Sequence, residues 1–391
     1  MSDWRTYALG DVAEVFDGPH ATPAKTDEGP WFLSISSLNS GRLELSESAH
    51  LSEQDFERWT RRVTPSPGDV LFSYETRLGE AALMPPGIRA ALGRRMGLLR
   101  PKRDLVEPRF LLLAYLSPEF QQVIRARKIH GATVDRIPLV DIPKWPIRVP
   151  DISTQRRISS VLGALDDKIV VGNRIVATAD ALRSALLKEA QRQGLDDFVT
   201  KPLSQVAEFI NGRAFTKGAT GHGRMVIRIA EINSGPGPST VYSDIMVSEK
   251  YLARPGDILF SWSGSLTVAR WFRPEAIVNQ HIFKVIPRGG NPKWLAFEAV
   301  KSKLADYRAV AADKATTMGH IQRRHLDEEV VVPTPEAIDR LDPQAGNLWQ
   351  RALLAEQESL TLAALRDSLL PELMSGRLRV KDAEKVVEEA V

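Results

Sequence analysis

The amino-acid sequence predicts an α/β (α+β) protein that consists of two tandem copies of one unit. It consists of two similar globules separated by two long helices, which pack as an antiparallel coiled coil about a pseudo-twofold axis. Three observations predict this tandem repeat. Segments of the first half return in the same order in the second half. Short apolar runs alternate with Gly, Pro and Asn in both halves, as strands and turns do. Each half then ends in a long stretch whose apolar residues are spaced three or four apart, which is typical of helices.

The bulk composition sets the outer limits of the interpretation. At 391 residues the chain exceeds what one hydrophobic core usually serves, so more than one domain is expected. The absence of cysteine excludes disulfides and thiolate metal sites. The first residues lack a positively charged lead followed by an apolar core, so we expect no secretory signal, and no apolar run approaches the ~20 residues of a membrane span. We therefore expect a cytoplasmic protein, and a net charge of +3 does not by itself identify a nucleic-acid binder.

The repeat is clearest in two pairs of segments at a constant offset. LGDVAEVFDG at Leu9–Gly18 returns as LSQVAEFING at Leu203–Gly212, with five of ten residues identical and an offset of 194. FLSISSLNSG at Phe32–Gly41 returns at the same offset as VIRIAEINSG at Val226–Gly235. Both copies end in Asn-Ser-Gly after an apolar run, which indicates a strand followed by a turn.

Further pairs follow at offsets that shrink along the chain. PGDVLFS at Pro67–Ser73 matches PGDILFS at Pro255–Ser261 at an offset of 188, and ALRSALLKE at Ala181–Glu189 matches ALRDSLLPE at Ala364–Glu372 at an offset of 183. Between them lies a pair at an offset of 184: Thr133 and Ile137 with Thr317 and Ile321. Small loop deletions produce such a steady decrease, whereas chance matches would scatter. The sequence therefore contains two tandem copies of one unit.

Each copy divides into a strand-rich part and a helical part. The predicted boundaries are 1–150 for the first globule, 151–197 for a central helical spacer, 198–335 for the second globule, 336–380 for a C-terminal helical spacer and 381–391 for a frayed tail. Short helices are predicted within the globules at Pro108–Arg127 and Pro292–Ala311.

Both helical spacers carry a narrow apolar seam. The first seam is Ile158, Val161, Leu165, Ile169, Gly172, Ile175, Ala179, Leu182 and Leu186. The second helix is predicted from about Leu348 to Leu373, and Pro371 is predicted to weaken or bend its last turn. If the second helix returns along the first, residues 158–189 would hold two globules apart over about 48 Å, at ~1.5 Å per residue. DNA advances ~34 Å per turn, so two DNA-reading globules held this far apart could occupy successive major grooves. A duplicated scaffold that only holds itself together fits this geometry equally well.

The copies differ where the shared framework ends. After the common PGD-V/I-LFS strand, the first copy continues with Tyr74–Arg77 and the second with Trp262–Ser265. Alignment of the next strand places Gly93-Arg94-Arg95 opposite Asn279-Gln280-His281. Arginine pairs bidentately with guanine, and Asn or Gln with adenine. The predicted DNA-binding residues are Tyr74, Arg77, Arg94, Arg95, Arg213, Lys217, Trp262, Ser263, Asn279, Gln280 and His281.

Basic residues that lack acids between them accompany both divergent clusters. The first set is Arg89, Arg94, Arg95, Arg100, Lys102 and Arg103. The second set is Arg213, Lys217, Arg224 and Arg228. Such groups would bind phosphates and fix the register on DNA. Solvated surface charge is the alternative for each single residue, and the sequence leaves both interpretations open.

The ordered motifs resemble those of the specificity subunit of type I restriction-modification systems. The resemblance lies in LGDVAEVFDG and LSQVAEFING, in PGDILFS, in NQHIFKVIP, in the junction from His130 through DISTQRRISSVLGALDDKI, and in the ending SLLPELMSGRLRV, and it covers the chain to about residue 380. One departure is the second junction, VPTPEAIDRLDPQAGNLWQRALL, which lacks a clear counterpart of STQRRISSVLGALDDKI.

The resemblance implies two target recognition domains that read the halves of an interrupted double-stranded DNA site. It also implies that the helices dock two methylation subunits and that restriction subunits join them. S-adenosylmethionine, ATP and Mg²⁺ are then expected on the partner subunits, and no cofactor or metal on this chain. The sequence agrees, because it has no Asn/Asp-Pro-Pro-aromatic motif and no phosphate-binding Gly-rich loop. Asp166-Asp167-Lys168 is similar to a nuclease set, but it lies in the seam-bearing helix. Two alternatives remain: a stand-alone modification enzyme and a duplicated interaction scaffold.

Overall fold

The computed structural model describes residues 4–39, 41–131, 134–313 and 319–390. The chain forms two compact units. Unit 1 comprises Met1–Lys168 and Leu362–Val391, and unit 2 comprises Ile169–Thr361. Thr133 and Thr317, which belong to one of the repeated pairs, lie outside the described residues.

Strands dominate the first part of each unit. Those of unit 1 are β1 (Arg5–Ala8), β2 (Ala13–Asp17), β3 (Thr26–Leu33), β4 (Leu38–Asn39), β5 (Arg42–Leu43), β6 (Ala49–His50), β7 (Val70–Ser73), β8 (Ala81–Leu83), β9 (Ala90–Leu92), β10 (Met96–Pro101), β11 (Ile129–His130), β12 (Asp135–Arg136) and β13 (Pro146–Val149). Those of unit 2 are β14 (Phe198–Pro202), β15 (Ala207–Asn211), β16 (Arg224–Ile227), β17 (Val241–Ser243), β18 (Leu252–Ala253), β19 (Ile258–Ser261), β20 (Thr267–Arg270), β21 (Ala276–Val278), β22 (Ile282–Pro287) and β23 (Glu329–Pro333).

The helices range from single turns to two very long elements. They are α1 (Leu9–Val12), α2 (Glu53–Trp59), α3 (Pro108–Leu116), α4 (Pro118–Arg127), α5 (Ile152–Gln193), α6 (Leu203–Val206), α7 (Ile229–Ser234), α8 (Lys293–Ser302), α9 (Leu304–Asp313), α10 (Pro335–Ser375) and α11 (Val380–Ala390). The predicted short helices of both globules are therefore present, each broken once, as α3–α4 and α8–α9.

The two units share three features of sheet topology. Each contains an antiparallel four-stranded sheet, ordered β2-β10-β7-β8 in unit 1 and β15-β22-β19-β20 in unit 2. Each also contains a parallel pair, β3 with β9 and β16 with β21. Finally, an early strand pairs with a late one, β1 with β13 and β14 with β23. The tandem repeat predicted from the sequence is thus a repeat of structure.

The Pro-Gly-Asp turn explains why PGDVLFS and PGDILFS recur. The glycine has a positive φ in both copies, +93° at Gly68 and +85° at Gly256, a conformation that favours glycine. Oδ2 of Asp69 accepts a hydrogen bond from a backbone N–H three residues earlier at 2.8 Å, and Oδ2 of Asp257 does the same at 2.9 Å. The four strand residues that follow are buried in both copies, which anchors each turn to its core.

The long helices pack side by side within each unit. In unit 1, Asp166 of α5 pairs with Arg366 of α10 at 2.9 Å. In unit 2, Gly172 of α5 faces Ser359 of α10, and Arg183 lies 5.2 Å from the Trp349 ring. Residue numbers rise along α5 as they fall along α10, so the two helices are antiparallel, as predicted.

Three helix predictions need correction. Helix α10 begins at Pro335 rather than near Leu348, because proline suits the first turn and Thr334 Oγ1 accepts a hydrogen bond from the third residue, at 3.3 Å. Helix α10 also continues past Pro371 to Ser375. In the first seam Leu182 is 53% exposed, while its neighbour Arg183 is fully buried.

The tail is helical rather than frayed. Helix α11 buries Ala383 and Val387, which lie four residues apart on one face. Its Glu384 pairs with Arg157 of α5 at 2.8 Å. The apolar pair and this ion pair attach the tail to unit 1.

Candidate nucleic-acid interface

The divergent segments of unit 1 meet where β7 ends and β10 begins. The backbone N–H of Tyr74 donates to the carbonyl of Arg95 at 3.1 Å, and the N–H of Ile137 donates to the carbonyl of Tyr74 at 2.8 Å. Arg95 has a φ of +72°, so the chain turns sharply just before β10. These contacts place residues 74–77, 93–95 and 135–137 side by side, and we call this edge the tip of unit 1.

Unit 2 repeats this backbone framework. The N–H of Trp262 donates to the carbonyl of His281 at 3.1 Å, and the N–H of Ile321 donates to the carbonyl of Trp262 at 3.1 Å. His281, the counterpart of Arg95, has the same φ of +72°. Residues 262–264, 279–281 and 319–321 therefore form the tip of unit 2. One framework thus carries two different sets of side chains.

The predicted residues of the unit 1 tip differ in accessibility. Tyr74 is 4% exposed, and this burial raises the pKa of its phenol. Arg77 donates to the backbone carbonyl of Ile35 at 3.1 Å. Nε of Arg95 lies 2.8 Å from Oε2 of Glu75. That contact is an ion pair rather than a hydrogen bond, because the N–H is not directed at the oxygen.

Arg94 is the remaining predicted residue of this tip. Its side chain is exposed and makes no ion pair with any residue that the structure describes. It is therefore the predicted guanidinium of unit 1 that is available to an external acceptor. Tyr74 instead packs inside the tip, and Arg77 and Arg95 are held by neighbours.

The tip of unit 2 is built around an aromatic group. Nε1 of Trp262 donates to Oδ1 of Asn211 at 2.9 Å. The Trp262 ring lies 5.1 Å from the His281 ring and 6.3 Å from the His320 ring. Nδ1 of His281 is buried and has no hydrogen-bond partner among the described residues. This stack fixes the aromatic side chains from three segments of the chain.

Two predicted residues of unit 2 serve the framework. Ser263 is 4% exposed and Asn279 is 6% exposed. Oδ1 of Asn279 accepts a hydrogen bond from the backbone N–H of Phe215 at 3.0 Å, which closes the loop that follows β15. The neighbouring Gln280 is exposed, and its backbone N–H donates to the carbonyl of Arg213 at 2.9 Å. Gln280 is therefore the amide of this cluster that points to solvent.

The structure brings Arg213 to the unit 2 tip through that backbone contact. Its exposed guanidinium also lies over the Tyr251 ring at 5.1 Å, a cation–π distance that leaves its donors accessible. Lys217 is exposed in the same loop.

The basic residues that have no acids between them in the sequence do have acidic neighbours in the structure. In unit 1, Arg89 pairs with Glu53 at 2.8 Å and Arg100 pairs with Asp69 at 2.7 Å. Two others donate to backbone carbonyl groups, Lys102 at 2.8 Å and Arg103 at 2.9 Å. Four of the six residues of the predicted phosphate-binding set therefore have acceptors within unit 1, which distant segments supply.

Unit 2 shows the same pairing. Arg224 pairs with Glu275 at 3.1 Å, and Arg228 pairs with Glu231 at 2.6 Å. Glu231 is 2% exposed. Burial alone would raise the pKa of Glu231, but hydrogen bonds from Arg228 and Thr240 lower it overall. The guanidinium group of Arg228 is therefore held by contacts within unit 2.

Sequence reasoning missed three residues that the tips contain: Glu75, Asn211 and His320. Glu75 lies between two residues that were selected, and its carboxylate can accept from a cytosine amino group or hold Arg95. Asn211 directly precedes the repeated Gly212, so its polar side chain at a strand end was a usable signal. His320 directly precedes Ile321, whose match to Ile137 was a usable signal that this segment belongs to the repeat.

Within the ranges given above, no group of three or more His, Asp or Glu side chains could hold a metal ion. No helix in those ranges has the length and apolar character needed to cross a membrane.

Comparison with known proteins gives a family match for the first part of the chain and a fold for nearly all of it. Residues 1–177 match the family described as Type I restriction modification DNA specificity domain. The Type I restriction enzyme HindI specificity subunit of Haemophilus influenzae is 23% identical in an alignment 226 residues long, which covers 53% of this chain and 47% of that protein. The chain thus spans about half the length of the curated relative that it matches.

Solved structures extend the likeness to nearly the whole chain. The S subunit of a type I restriction-modification system from M. genitalium covers 95% of this chain and 96% of its own, with a TM-score of 0.59 and 14% identity. The HsdS subunit from Thermoanaerobacter tengcongensis covers 96% and 97% with 20% identity, but its TM-score is 0.37. The M. genitalium structure therefore carries the conclusion about the fold.

The two repeated units and their long helices have the fold of a specificity subunit. Residues 1–177, a little under half of the chain, are the part that matches the type I restriction modification DNA specificity domain. The resemblance identified from the sequence motifs is thus confirmed.

Proposed function

We propose that this chain recognises a bipartite, interrupted double-stranded DNA target for a type I restriction-modification complex. In this proposal residues 1–150 and 198–335 are target recognition domains, and each reads one half of the target. The observation that carries it is the shared tip framework. Tyr74 and Trp262 occupy equivalent positions with the same backbone hydrogen bonds, while the exposed residues beside them, Arg94 and Gln280, differ in chemistry. A common framework with different side chains suits two readers of different half-sites.

The proposal assigns catalysis to partner subunits in the cytoplasm. Two methylation subunits would dock on the helical spacers, 151–197 and 336–380, and would bind S-adenosylmethionine to methylate adenine. Restriction subunits would join them and use ATP and Mg²⁺. This chain would bind no cofactor or metal of its own and would supply the sequence preference of the assembly.

Mapping methylated adenines in the host genome tests the recognition role. We expect one interrupted motif to be methylated when the intact chain is present and to lose its methylation when the chain is removed. A binding assay on a pool of random duplexes, with and without the methylation subunits, provides the second readout. Enrichment of no sequence in either condition would favour the duplicated scaffold instead.

The division of labour has its own test. We expect the purified chain alone neither to bind S-adenosylmethionine nor to transfer methyl groups, and methylation to require the methylation subunits. Methyl transfer by the chain alone would show that it is a stand-alone modification enzyme.

A further inference from the structure

A cavity of about 250 Å³ lies on unit 1, and half of its lining residues fall within residues 58–63, which no sequence motif singled out. Buried apolar side chains, Val63 and Leu92, form part of its wall. Basic and aromatic residues at the end of α2 and just after this helix also line the cavity: Arg58, Trp59, Arg61 and Arg62. All three arginines are exposed. We call this feature the Arg58–Arg62 cavity.

The charges around the cavity do not cancel. Of the described residues that line it, Asp17 is the one carboxylate, and it already pairs with Arg62 and with His20, the latter at 3.5 Å. Arg58 and Arg61 form no ion pair with any described residue. Two guanidinium groups beside the cavity are therefore available to an external anion.

The surroundings of these two guanidinium groups favour a directly bound phosphate over loosely associated counterions. The Arg58 guanidinium lies 5.2 Å from the Trp59 ring, so its plane has a support while its N–H groups remain exposed. The indole N–H of Trp59 is buried and lacks an acceptor among the described residues. Guanidinium groups bind phosphate oxygens through paired hydrogen bonds, and a partly apolar wall reduces the screening of such contacts by water.

The cavity adjoins the tip of unit 1. Leu92 lines the cavity and is followed directly by the Gly93-Arg94-Arg95 cluster. Gly18 also lines it, and its N–H donates to the carbonyl of Met96 at 2.8 Å, one residue beyond that cluster. An extended ligand at the tip would therefore pass the mouth of the cavity.

We propose that the Arg58–Arg62 cavity binds a backbone phosphate of DNA and sets the register of the duplex at the tip of unit 1. This inference rests on the proposed function, and it assigns the cavity a positioning role while the tip reads bases. Phosphate contacts contribute to affinity on every sequence and carry no sequence preference, whereas base contacts carry it.

The test compares salt dependence with sequence preference. The full chain with its methylation subunits is titrated by fluorescence anisotropy against a duplex that carries the mapped target and a scrambled duplex, from 50 to 200 mM salt. For Arg58→Ala/Arg61→Ala we expect the slope of log K against log salt to be smaller in magnitude by about 0.9, the contribution of one phosphate contact. The variant would then lose about 3.5-fold less affinity than the unaltered protein over that salt range. The ratio of the affinities for the two duplexes should stay unchanged.

Arg125→Ala provides the matched control for Arg61→Ala. Arg125 is an exposed arginine of α4 that forms no ion pair with any described residue, and it does not line the cavity. We expect Arg61→Ala to reduce the slope by up to about 0.9 and Arg125→Ala to leave it unchanged.

Three outcomes would overturn the phosphate role. The first is a double variant with the salt slope of the unaltered protein. The second is an altered ratio of target to scrambled affinity, which would mean that the arginines read bases. The third is binding of inorganic phosphate that the double substitution abolishes while the DNA slope is unchanged, which would assign the cavity to a free anion. If the unaltered complex itself shows no preference for the target, the proposed function fails, whatever the variants do.

Discussion

The guanidinium group of Arg183 donates two hydrogen bonds to Oε1 of Glu298, from Nε at 3.1 Å and from Nη2 at 2.9 Å. The Arg183 side chain is fully buried, and Glu298 is 10% exposed. Arg183 is also bonded to Asp180 at 2.7 Å and lies over the rings of Phe297 and Trp349. This arginine therefore joins α5, α8 and α10 within unit 2.

Arg183→Met should destabilise unit 2 strongly. The substitution leaves the Glu298 carboxylate buried without its main partner, and breaking one side of a buried pair costs about 3–5 kcal/mol. Urea unfolding followed by circular dichroism measures the loss. Arg183→Met/Glu298→Met removes both charges and should recover most of it. A double variant as unstable as the single one would show that packing, and not the ion pair, sets the cost.

Two leucines of the predicted seam should respond differently to the same substitution. Leu165 is fully buried in unit 1, whereas Leu182 is 53% exposed in unit 2. Leu165→Glu places a charge in the core and should cost more than about 3 kcal/mol. Leu182→Glu should change the unfolding free energy by less than about 0.5 kcal/mol. Equal losses in the same unfolding assay would contradict the placement of the two side chains.

The seam shows how far a sequence pattern reaches. Three- and four-residue spacing located the buried face of α5 at Ile158, Val161 and Leu165, because helix geometry repeats locally. The same spacing failed at Leu182. There the neighbouring position is occupied by an arginine that contacts Glu298 on α8 and Trp349 on α10, more than 100 residues away, and no local pattern contains these partners. The acceptors of Arg89 and Arg100, Glu53 and Asp69, likewise lie in other segments of the chain.

The two tips also show which features a sequence pattern predicts and which it does not. Divergence after a shared strand predicted which segments form each tip, since Tyr74 and Trp262 do occupy equivalent framework positions. It could not separate exposed Arg94 and Gln280 from buried Ser263, because accessibility at a strand end depends on which loop crosses it. The isolated pairing of Ser263 with His320 is such a crossing.

Acid should weaken the Pro-Gly-Asp turn of unit 2. Burial alone would raise the pKa of Asp257, but a hydrogen bond from the Arg254 N–H and the ammonium groups of Lys293 and Lys284 hold it below its ordinary value of 3.8. A folded-state pKa below the unfolded one stabilises the fold above the unfolded value, and this stabilisation disappears as pH falls through the folded value. Asp257→Asn should therefore lower stability at about pH 7, and this loss should shrink as pH falls below the ordinary value of 3.8.

Urea unfolding of both proteins across that pH range measures the difference. Asp339→Asn, at an exposed position on α10, is the control and should track the unaltered protein at every pH. A stability difference for Asp257→Asn that does not shrink on acidification would assign its role to turn geometry and not to charge.

Gly172 and Ser359 should be energetically coupled. A methyl group on Gly172 would lie 2.4 Å from Oγ of Ser359 but 3.8 Å from its Cβ. The Ser359 hydroxyl is buried and has no partner among the described residues, so Ser359→Ala should be neutral or stabilising by up to about 1 kcal/mol. Gly172→Ala should be destabilising in the unaltered chain, where the hydroxyl obstructs it. In the Ser359→Ala chain it should stabilise by about 1 kcal/mol, since alanine favours a helix more than glycine does. A double-mutant cycle measures this change of sign, and additive effects would mean that α5 and α10 are further apart.

Single substitutions at the tips should change one half of the recognised target. Arg94 and Gln280 are exposed on the tips of different units, and each lies beside a framework that the substitution leaves intact. Loss of a bidentate base contact reduces discrimination by about 1–3 kcal/mol at the position that it reads. Arg94→Ala should therefore relax the preference in one half-site, and Gln280→Ala should relax it in the other. Sequencing of methylated adenines, or selection from random duplexes, reads out both halves in one experiment.

Asn279→Ala is the contrasting variant, because Asn279 is buried and holds the N–H of Phe215, so it should reduce stability rather than change one base preference. Equal relaxation of both halves by Arg94→Ala or by Gln280→Ala would exclude that residue from base reading.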